Sequence, residues 1–306
     1  MKIALVGNPN CGKTTLFNAY TGSSQYVGNW PGVTVEKKEG QYKKDKEVRF
    51  TDLPGIYSLS PYTLEEVVAR DFLAHGNPDA IINVVDGSNI ERNLYLSTQL
   101  SELGIPLIIA LNMMDIVKKN NDFIDIKKIE ADLNCKIVEV SALKNENLDK
   151  LIEVAKKEAS KKEKHEEIKA FSKDLEGYIT AIENALPELE SERARRWLAV
   201  KVFENDEKII EDLKLSPEKL DEISKIRSQA EEFFDDDAEG IITDERYNFV
   251  TSITSTAVKK GRQGLTTSDK IDKVITNRIL SLPIFVGIML VVYYVAITIV
   301  GGDVTD

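Results

Sequence analysis

A chain of 306 residues has room for two ordinary domains. Its net charge of −11 argues against a broad surface for nucleic acid or anionic lipid, so any phosphate affinity must be local. Cys11 and Cys135 are its only cysteines; they imply no disulfide framework and suit a reducing compartment.

The sequence opens directly on an apolar run, so no secretory signal is expected. Residues 2–6 read as a buried strand. They feed Gly7-Asn8-Pro9-Asn10-Cys11-Gly12-Lys13-Thr14-Thr15, a phosphate-binding loop placed between a strand and a helix. Glycines let successive backbone N–H groups curl inward around a phosphate chain. The helix that follows adds its positive end. Lys13 supplies a point charge for the outer phosphates, and the Thr14 hydroxyl is an oxygen ligand for Mg2+. Cys11 lies at a helix N-terminus, a setting that lowers a thiol pKa. A small residue tolerated by the loop is the better reading than a redox role.

Gly28-Asn29-Trp30-Pro31-Gly32 is built to move. Gly32, Val33 and Thr34 follow it toward the nucleotide, with the Thr34 hydroxyl expected to close over Mg2+ and the γ-phosphate. Ser23 and Gln25 read as solvated loop residues. Strands over 37–43 and 47–51 flank Lys44-Asp45-Lys46 as a hairpin, one antiparallel edge on a parallel sheet. The second strand ends on Asp52-Leu53-Pro54-Gly55. There Asp52 would hold Mg2+ through water, and the Gly55 N–H would meet the γ-phosphate.

Further strands are expected at 80–85, 107–111 and 136–140, with helices at 94–103, 126–133 and from 148 to about 160. Two of these strands end in motifs, Asn112-Met113-Met114-Asp115 and Ser141-Ala142-Leu143. Motifs at the carboxyl ends of strands lie where open α/β sheets bind ligands. The Asp115 carboxylate can accept hydrogen bonds from guanine N1–H and the exocyclic amine, which adenine cannot offer. At roughly 1.5–3 kcal/mol per charge-assisted bond, discrimination against ATP reaches ~10³. The expected fold is a doubly wound, mainly parallel α/β sheet of the P-loop GTPase type. Many GTPases carry a glutamine where Ile56 stands, to orient the attacking water; hydrolysis here should be slow or draw on another charge.

Residues 161–167 are a charged boundary. From 168 to about 260 the pattern is helical, with Leu175, Tyr178, Ile179 and Ile182 on one stripe and Pro187 and Pro217 as punctuation. Asp235-Asp236-Asp237 reads as a solvated helix end, and the isolated His75 and His165 suggest no zinc site. Residues 279–302 are uncharged and mostly apolar, long enough to cross a bilayer as a helix. Lys259, Lys260, Arg262, Lys270, Lys273 and Arg278 precede them, placing that side in the cytoplasm. The sequence reads as the front part of a longer membrane protein.

The stretches Gly7 to Asn18, Val27 to Glu36, Asp52 to Ser60 and Asn112 to Asp115 together resemble the ferrous iron transport protein B family. Cys11 replaces a serine often seen in that family's loop. The resemblance covers the whole chain. It implies a GTP-binding domain (1–160), a helical domain resembling a nucleotide-dissociation inhibitor (161–262), a linker (263–278) and a first transmembrane helix (279–302). It also implies a multi-pass Fe2+ transporter in a prokaryotic inner membrane, with residues 1–278 cytoplasmic. The iron path would run through further membrane segments, with small accessory transport proteins as partners, and an oligomer is admitted. GTP is then the substrate, Mg2+ is held by Thr14, Thr34 and Asp52, and K+ stimulates hydrolysis through Asn10. Lys13, Thr34 and Asn10 carry the catalytic expectation. Two other classes stay open: a membrane-anchored signalling GTPase without transport, and a GTP-dependent assembly factor.

Overall fold

The computed structural model describes residues 1–60, 62–161, 168, 170–187, 194–261, 275 and 281–294. Its centre is strand β1 (Lys2–Gly7), whose last five residues are buried. Period-2 alternation divides it between two layers. Ile3 and Leu5 join Leu16, Phe17, Ile82, Ile108 and Leu151 on one face, while Ala4 and Val6 join Ile81, Leu94 and Ile109 on the other. Burial on both faces explains why β1, β5 (Ala80–Asp86) and β6 (Leu107–Asn112) read as mainly apolar runs, with buried Asn83 the polar exception in β5.

With β2 (Gln25–Asn29), β3 (Glu36–Tyr42), β4 (Asp45–Asp52) and β8 (Lys136–Glu139), these form a seven-stranded sheet in the order β2-β3-β4-β1-β5-β6-β8. β1 pairs parallel with both β4 and β5. The expected antiparallel edge is present and larger than the sequence suggested. β2 adds an outer strand, with Gln25 opposite Gly40 and Asn29 opposite Glu36. Gln25 is therefore part of a strand rather than a solvated loop, and its amide donates to Asn18 Oδ1 at 2.8 Å. Alternation is absent from Gln-Tyr-Val-Gly-Asn because an edge strand has no buried face to mark.

Helices α1 (Lys13–Thr21) and α6 (Leu148–Ala159) cover one face of the sheet. α2 (Leu64–His75) was not foreseen, although Thr63 and Glu66 form a capping box that is legible in sequence. α3 (Ile90–Ser101) starts four residues earlier than the expected 94–103. α4 (Met114–Lys119) and α5 (Ile126–Asp132) complete this half, separated by β7 (Phe123–Ile124).

Beyond residue 170 the described chain is helical: α7 (Lys173–Ala185), α8 (Arg195–Phe203), α9 (Glu207–Leu213), α10 (Pro217–Phe234) and α11 (Ala238–Ala257). Pro217 occupies the first turn of α10 behind the Ser216 cap, the position where its missing N–H costs nothing. Asp235 takes a left-handed conformation after α10, and Asp237 caps α11 through Gly240 N. The three aspartates are thus a helix–helix turn, and no metal-binding cluster occurs among the described residues. α11 lies on α3, where Tyr95 and Tyr247 stack at 4.8 Å. It ends in β9 (Val258–Lys259), which pairs antiparallel with β7.

Met1–Lys260 is one compact unit, and Gly261–Asp306 is another. The expected boundary at 161–167, apart from Lys161, lies outside the described residues, as do His165, Arg262, Lys270, Lys273, Arg278 and nearly all of the 263–278 linker. Of the expected span 279–302, Ser281–Tyr294 is described and forms apolar helix α12. Among the described residues no helix is long and apolar enough to cross a membrane.

Candidate functional site

The loop after β1 turns into α1 over a cleft of about 570 Å3 lined by Asn8, Pro9, Asn10, Gly12, Lys13, Thr14, Thr15, Gly55 and Met113. Two backbone positions make the turn. Gly12 has φ 90° and Asn10 has φ 65°, both left-handed. A Cβ on Gly12 would also collide with the Asn112 amide. Gly7 is as tightly held, since a Cβ there would lie 2.6 Å from the Val84 carbonyl oxygen. Thr14 and Thr15 are exposed at the helix start, with their hydroxyls accessible.

Lys13 pairs with Asp52, the last residue of β4, and both are buried. Burial pushes the Asp52 carboxyl above its usual range despite the Lys13 ammonium beside it. The Ile56 N–H donates to the Gly7 carbonyl at 3.2 Å, which brings Gly55 to the cleft opposite Pro9. Leu53 and Ile56 are buried in the core. The Ile56 side chain packs in the core and is not among the residues that line the cleft.

Asn112 is a brace. Its carboxamide donates to the Cys11 carbonyl at 2.8 Å and accepts from the Ala142 N–H at 2.9 Å. One buried side chain thus ties the loops after β1, β6 and β8 together. Asp115 remains for the base. It is partly exposed, and Ser141 Oγ and Lys144 Nζ lie 3.3 and 3.5 Å from its two oxygens. Burial opposes its ionisation, but its own backbone N–H, Lys144 and Ser141 outweigh that and hold its carboxyl below the usual range. Met113 adopts a left-handed φ of 61° that aims the loop into the cleft. Ala142 is buried, and Leu143 is 80% exposed. Sequence reading missed Lys144; its position three residues after Ser141 was the available signal.

The Gly32-Val33-Thr34 stretch is not in the cleft. It forms the tip between β2 and β3, where the Trp30 N–H donates to the Val35 carbonyl at 2.9 Å and the Val33 N–H to the Trp30 carbonyl at 3.3 Å. Thr34 is exposed. The tip is held by the Trp30 ring, which meets Phe72 edge-on at 5.4 Å and has Lys37 Nζ at 5.0 Å from its centroid.

Three further side chains decide between readings. Cys11 is buried, and that burial pushes its thiol up to about 11, overriding the helix-terminus effect. This corrects the expectation of a lowered pKa and removes the basis for redox reactivity. The Asn10 side chain is exposed and makes no hydrogen bond among the described residues, so it does not brace the loop. Asn8 is buried at 4% exposure, with both ends of its carboxamide unpartnered.

The arrangement brings together a glycine-turned loop ahead of α1, a lysine, two exposed threonines, a buried carboxylate and, beyond Asn112, a second, partly exposed carboxylate. Comparison with known proteins agrees. The family profile described as ferrous iron transport protein B matches residues 1–155, and that of the FeoB cytosolic helical domain matches residues 171–259. The chain is 38% identical over 312 residues to the Fe(2+) transporter FeoB of Escherichia coli strain K12, covering 99% of this chain and 39% of that protein. It thus spans about two-fifths of that relative's length. A GDP-bound mutant of the S. thermophilus FeoB G-domain superposes with a TM-score of 0.82 at 44% identity, covering 85% of this chain and all of that one. The S. thermophilus NFeoB structure bound to GDP.AlF4- and K+ gives a TM-score of 0.76 at 44% identity, covering 84% and 100% of the two chains.

Proposed function

The chain belongs to the ferrous iron transport protein B family, and from that premise we propose that it is the GTP-binding and GTP-hydrolysing switch of an Fe2+ uptake transporter. One observation carries the nucleotide reading. The phosphate loop, the Asp52–Gly55 segment and the Asn112–Asp115 motif converge at the carboxyl ends of adjacent strands, linked by Asn112.

In this reading Gly7–Thr15 N–H groups bind the phosphates, and Lys13 exchanges Asp52 for them. Asp115 selects guanine, with Ser141 and Lys144 holding its carboxylate ionised. Asn112 positions the loop through Cys11 and Ala142, and the second N–H of its carboxamide remains for the base. Thr34 moves in from the β2–β3 tip, with Gly32 and Val33, and the Gly55 N–H receives the γ-phosphate.

The residues present fit both cations. Exposed Thr14 follows the Lys13 that pairs with buried Asp52, and these oxygen donors suit Mg2+, with Asp52 acting through water and Thr34 joining on closure. Asn10 presents an unengaged side-chain oxygen suited to K+. These cations supply neutralisation of the charge that develops on the β- and γ-phosphates. The solved relative with GDP.AlF4- and K+ supports this assignment.

We carry the division into a GTP-binding domain (1–160) and a helical domain (161–262) with the same reading; the two matched profiles support it. Fe2+ as cargo, and residues 1–278 on the cytoplasmic side of a prokaryotic membrane, rest on the relatives, the cytosolic supply of GTP and the basic residues before 279. Calorimetric titration of the chain with GTP and with ATP tests the switch. Tight GTP binding with ATP weaker by about 10³ is expected, and equal affinities would overturn it. Fe2+ uptake by cells carrying the full-length protein, wild type against Lys13→Ala, tests the cargo; unchanged uptake would refute it.

A further inference from the structure

The segment after Gly55 is laid along α3 and gripped at two points. Arg92 and Gln99 are seven positions apart on that helix, hence on one face two turns apart. The Arg92 guanidinium carbon lies 4.4 Å from the centroid of the Tyr57 ring. Gln99, 1% exposed, accepts from the Leu59 N–H at 2.7 Å and donates to Ser58 Oγ at 3.1 Å. Ser58 Oγ also receives the Ser60 N–H at 3.0 Å, so the carboxamide fixes the chain on both sides of Leu59. Leu59 itself is fully buried. Upstream, the Ile56 N–H is fixed to Gly7.

We propose that Arg92 and Gln99 are positioning residues for GTP hydrolysis, holding residues 57–59 so that the Gly55 N–H is aimed before the triphosphate arrives. The inference rests on the nucleotide reading above and assigns work that reading leaves undone. Ile56 is buried and supplies no group to the reacting atoms. Aim must then come from the backbone, and a backbone aims only as well as its anchors hold. Gln99 is suited to this because a carboxamide accepts and donates at once, and its burial leaves no water to replace it. Arg92 acts as a flat cation over an exposed ring, a weaker grip that leaves Tyr57 room to shift. Both grips act on this segment alone and set it apart from the 28–34 segment. The 28–34 segment can travel, while the 55–60 segment is prepared in place.

The test measures kcat, KM for GTP and GDP affinity in the wild type, Gln99→Leu, Arg92→Ala and Arg92→Lys, with backbone hydrogen exchange at Leu59. Gln99→Leu should lower kcat by roughly five- to fiftyfold, a misaimed donor losing rate rather than binding. Arg92→Ala should lower it roughly threefold, and Arg92→Lys should recover most of that, because an ammonium also binds a ring face. KM and GDP affinity should stay within about threefold, since neither residue reaches the phosphate loop or Asp115. Leu59 exchange should quicken in Gln99→Leu. A residue serving only stability would lower the midpoint of thermal unfolding with kcat intact among folded molecules, and that result would overturn the assignment. So would a rise in KM that matches the fall in kcat/KM. A wild type that binds GTP and never hydrolyses it would instead remove the reading on which the inference stands.

Discussion

Arg246 on α11 forks onto Glu102, just past the end of α3, with N–O distances of 3.0 and 2.7 Å and both side chains at 2% exposure or less. Its other nitrogen reaches Glu204 at 3.0 Å. The guanidinium thus joins the helical half of the unit to the nucleotide half. Arg246→Ala would leave buried Glu102 without its hydrogen-bonded cation, while Glu204 keeps Lys201, at a cost of about 3–5 kcal/mol. Arg246→Lys should recover little, because an ammonium cannot bridge both acids in the same plane. Urea unfolding followed by circular dichroism measures this, and a loss below about 1 kcal/mol would contradict it.

Hydrolysis should respond to the monovalent cation. Asn10 lines the cleft with its side chain unengaged, and Ile56 brings nothing. Turnover in KCl should exceed turnover in matched NaCl, by less than the ~10³–10⁵ of an arginine finger. Asn10→Ala should lose the difference while keeping GDP affinity. Equal wild-type rates in the two salts, or a full K+ response in the variant, would defeat the assignment.

Thr34 stands exposed at the β2–β3 tip and must travel to meet a γ-phosphate. Thr34→Ala should leave GDP binding nearly intact and cut turnover by at least about tenfold. Trp30 leaves Phe72 if the tip moves, so its fluorescence should change when a non-hydrolysable GTP analogue with Mg2+ is added, and not with GDP. A silent tryptophan and unchanged turnover would mean that the tip does not close.

On the proposed reading Asp115 accepts from guanine as a carboxylate, and its folded pKa is depressed. A depressed carboxylate keeps its contribution above the ordinary value near ~3.9 and loses it only as pH falls through the lower folded one. GDP affinity should therefore stay flat on acidification to about pH 4. In Lys144→Ala the decline should begin at higher pH. Asp115→Asn should weaken GTP and partly accept xanthosine nucleotides, whose extra carbonyl asks for a donor. Competition titrations across pH decide all three.

Cys11 should resist alkylation. With its thiol pushed up to about 11 by burial, little thiolate exists at pH 8. The folded value lies above an unfolded one near ~8.5, so this group's contribution to stability is complete below that pH and is lost as pH rises toward the folded value. Iodoacetamide labelling followed by mass spectrometry should find Cys11 unmodified in the folded chain and modified after denaturation. Rapid labelling of the native chain would show the burial to be wrong.

The parallel core was legible because its central strands are buried on both faces and so read as mainly apolar runs, several of them ending in a motif. The phosphate loop was legible for a related reason: its glycines answer to backbone geometry at Gly7 and Gly12 that no other residue satisfies. What escaped was set by partners distant in sequence. β2 has no buried face of its own and exists because β3 lies beside it. The bracing role of Asn112 was equally hidden, because its carboxamide meets backbone 101 and 30 residues away. The Cys11 pKa was misjudged because helix position is local and visible, while burial depends on the layer packed against it.

The two-residue ladder between β7 and β9 carries a mechanical consequence. β9 is where the compact unit hands the chain onward, and Lys260 is stapled to the Ser88 carbonyl at 3.1 Å and to Asp122 at 3.5 Å. β7 begins only eight residues after Asp115, at the far end of α4. Tension applied to the chain beyond Lys260 is therefore borne first by this small clasp, and then by the helix whose opposite end carries Asp115. A clasp of two residue pairs yields before any strand of the central sheet does.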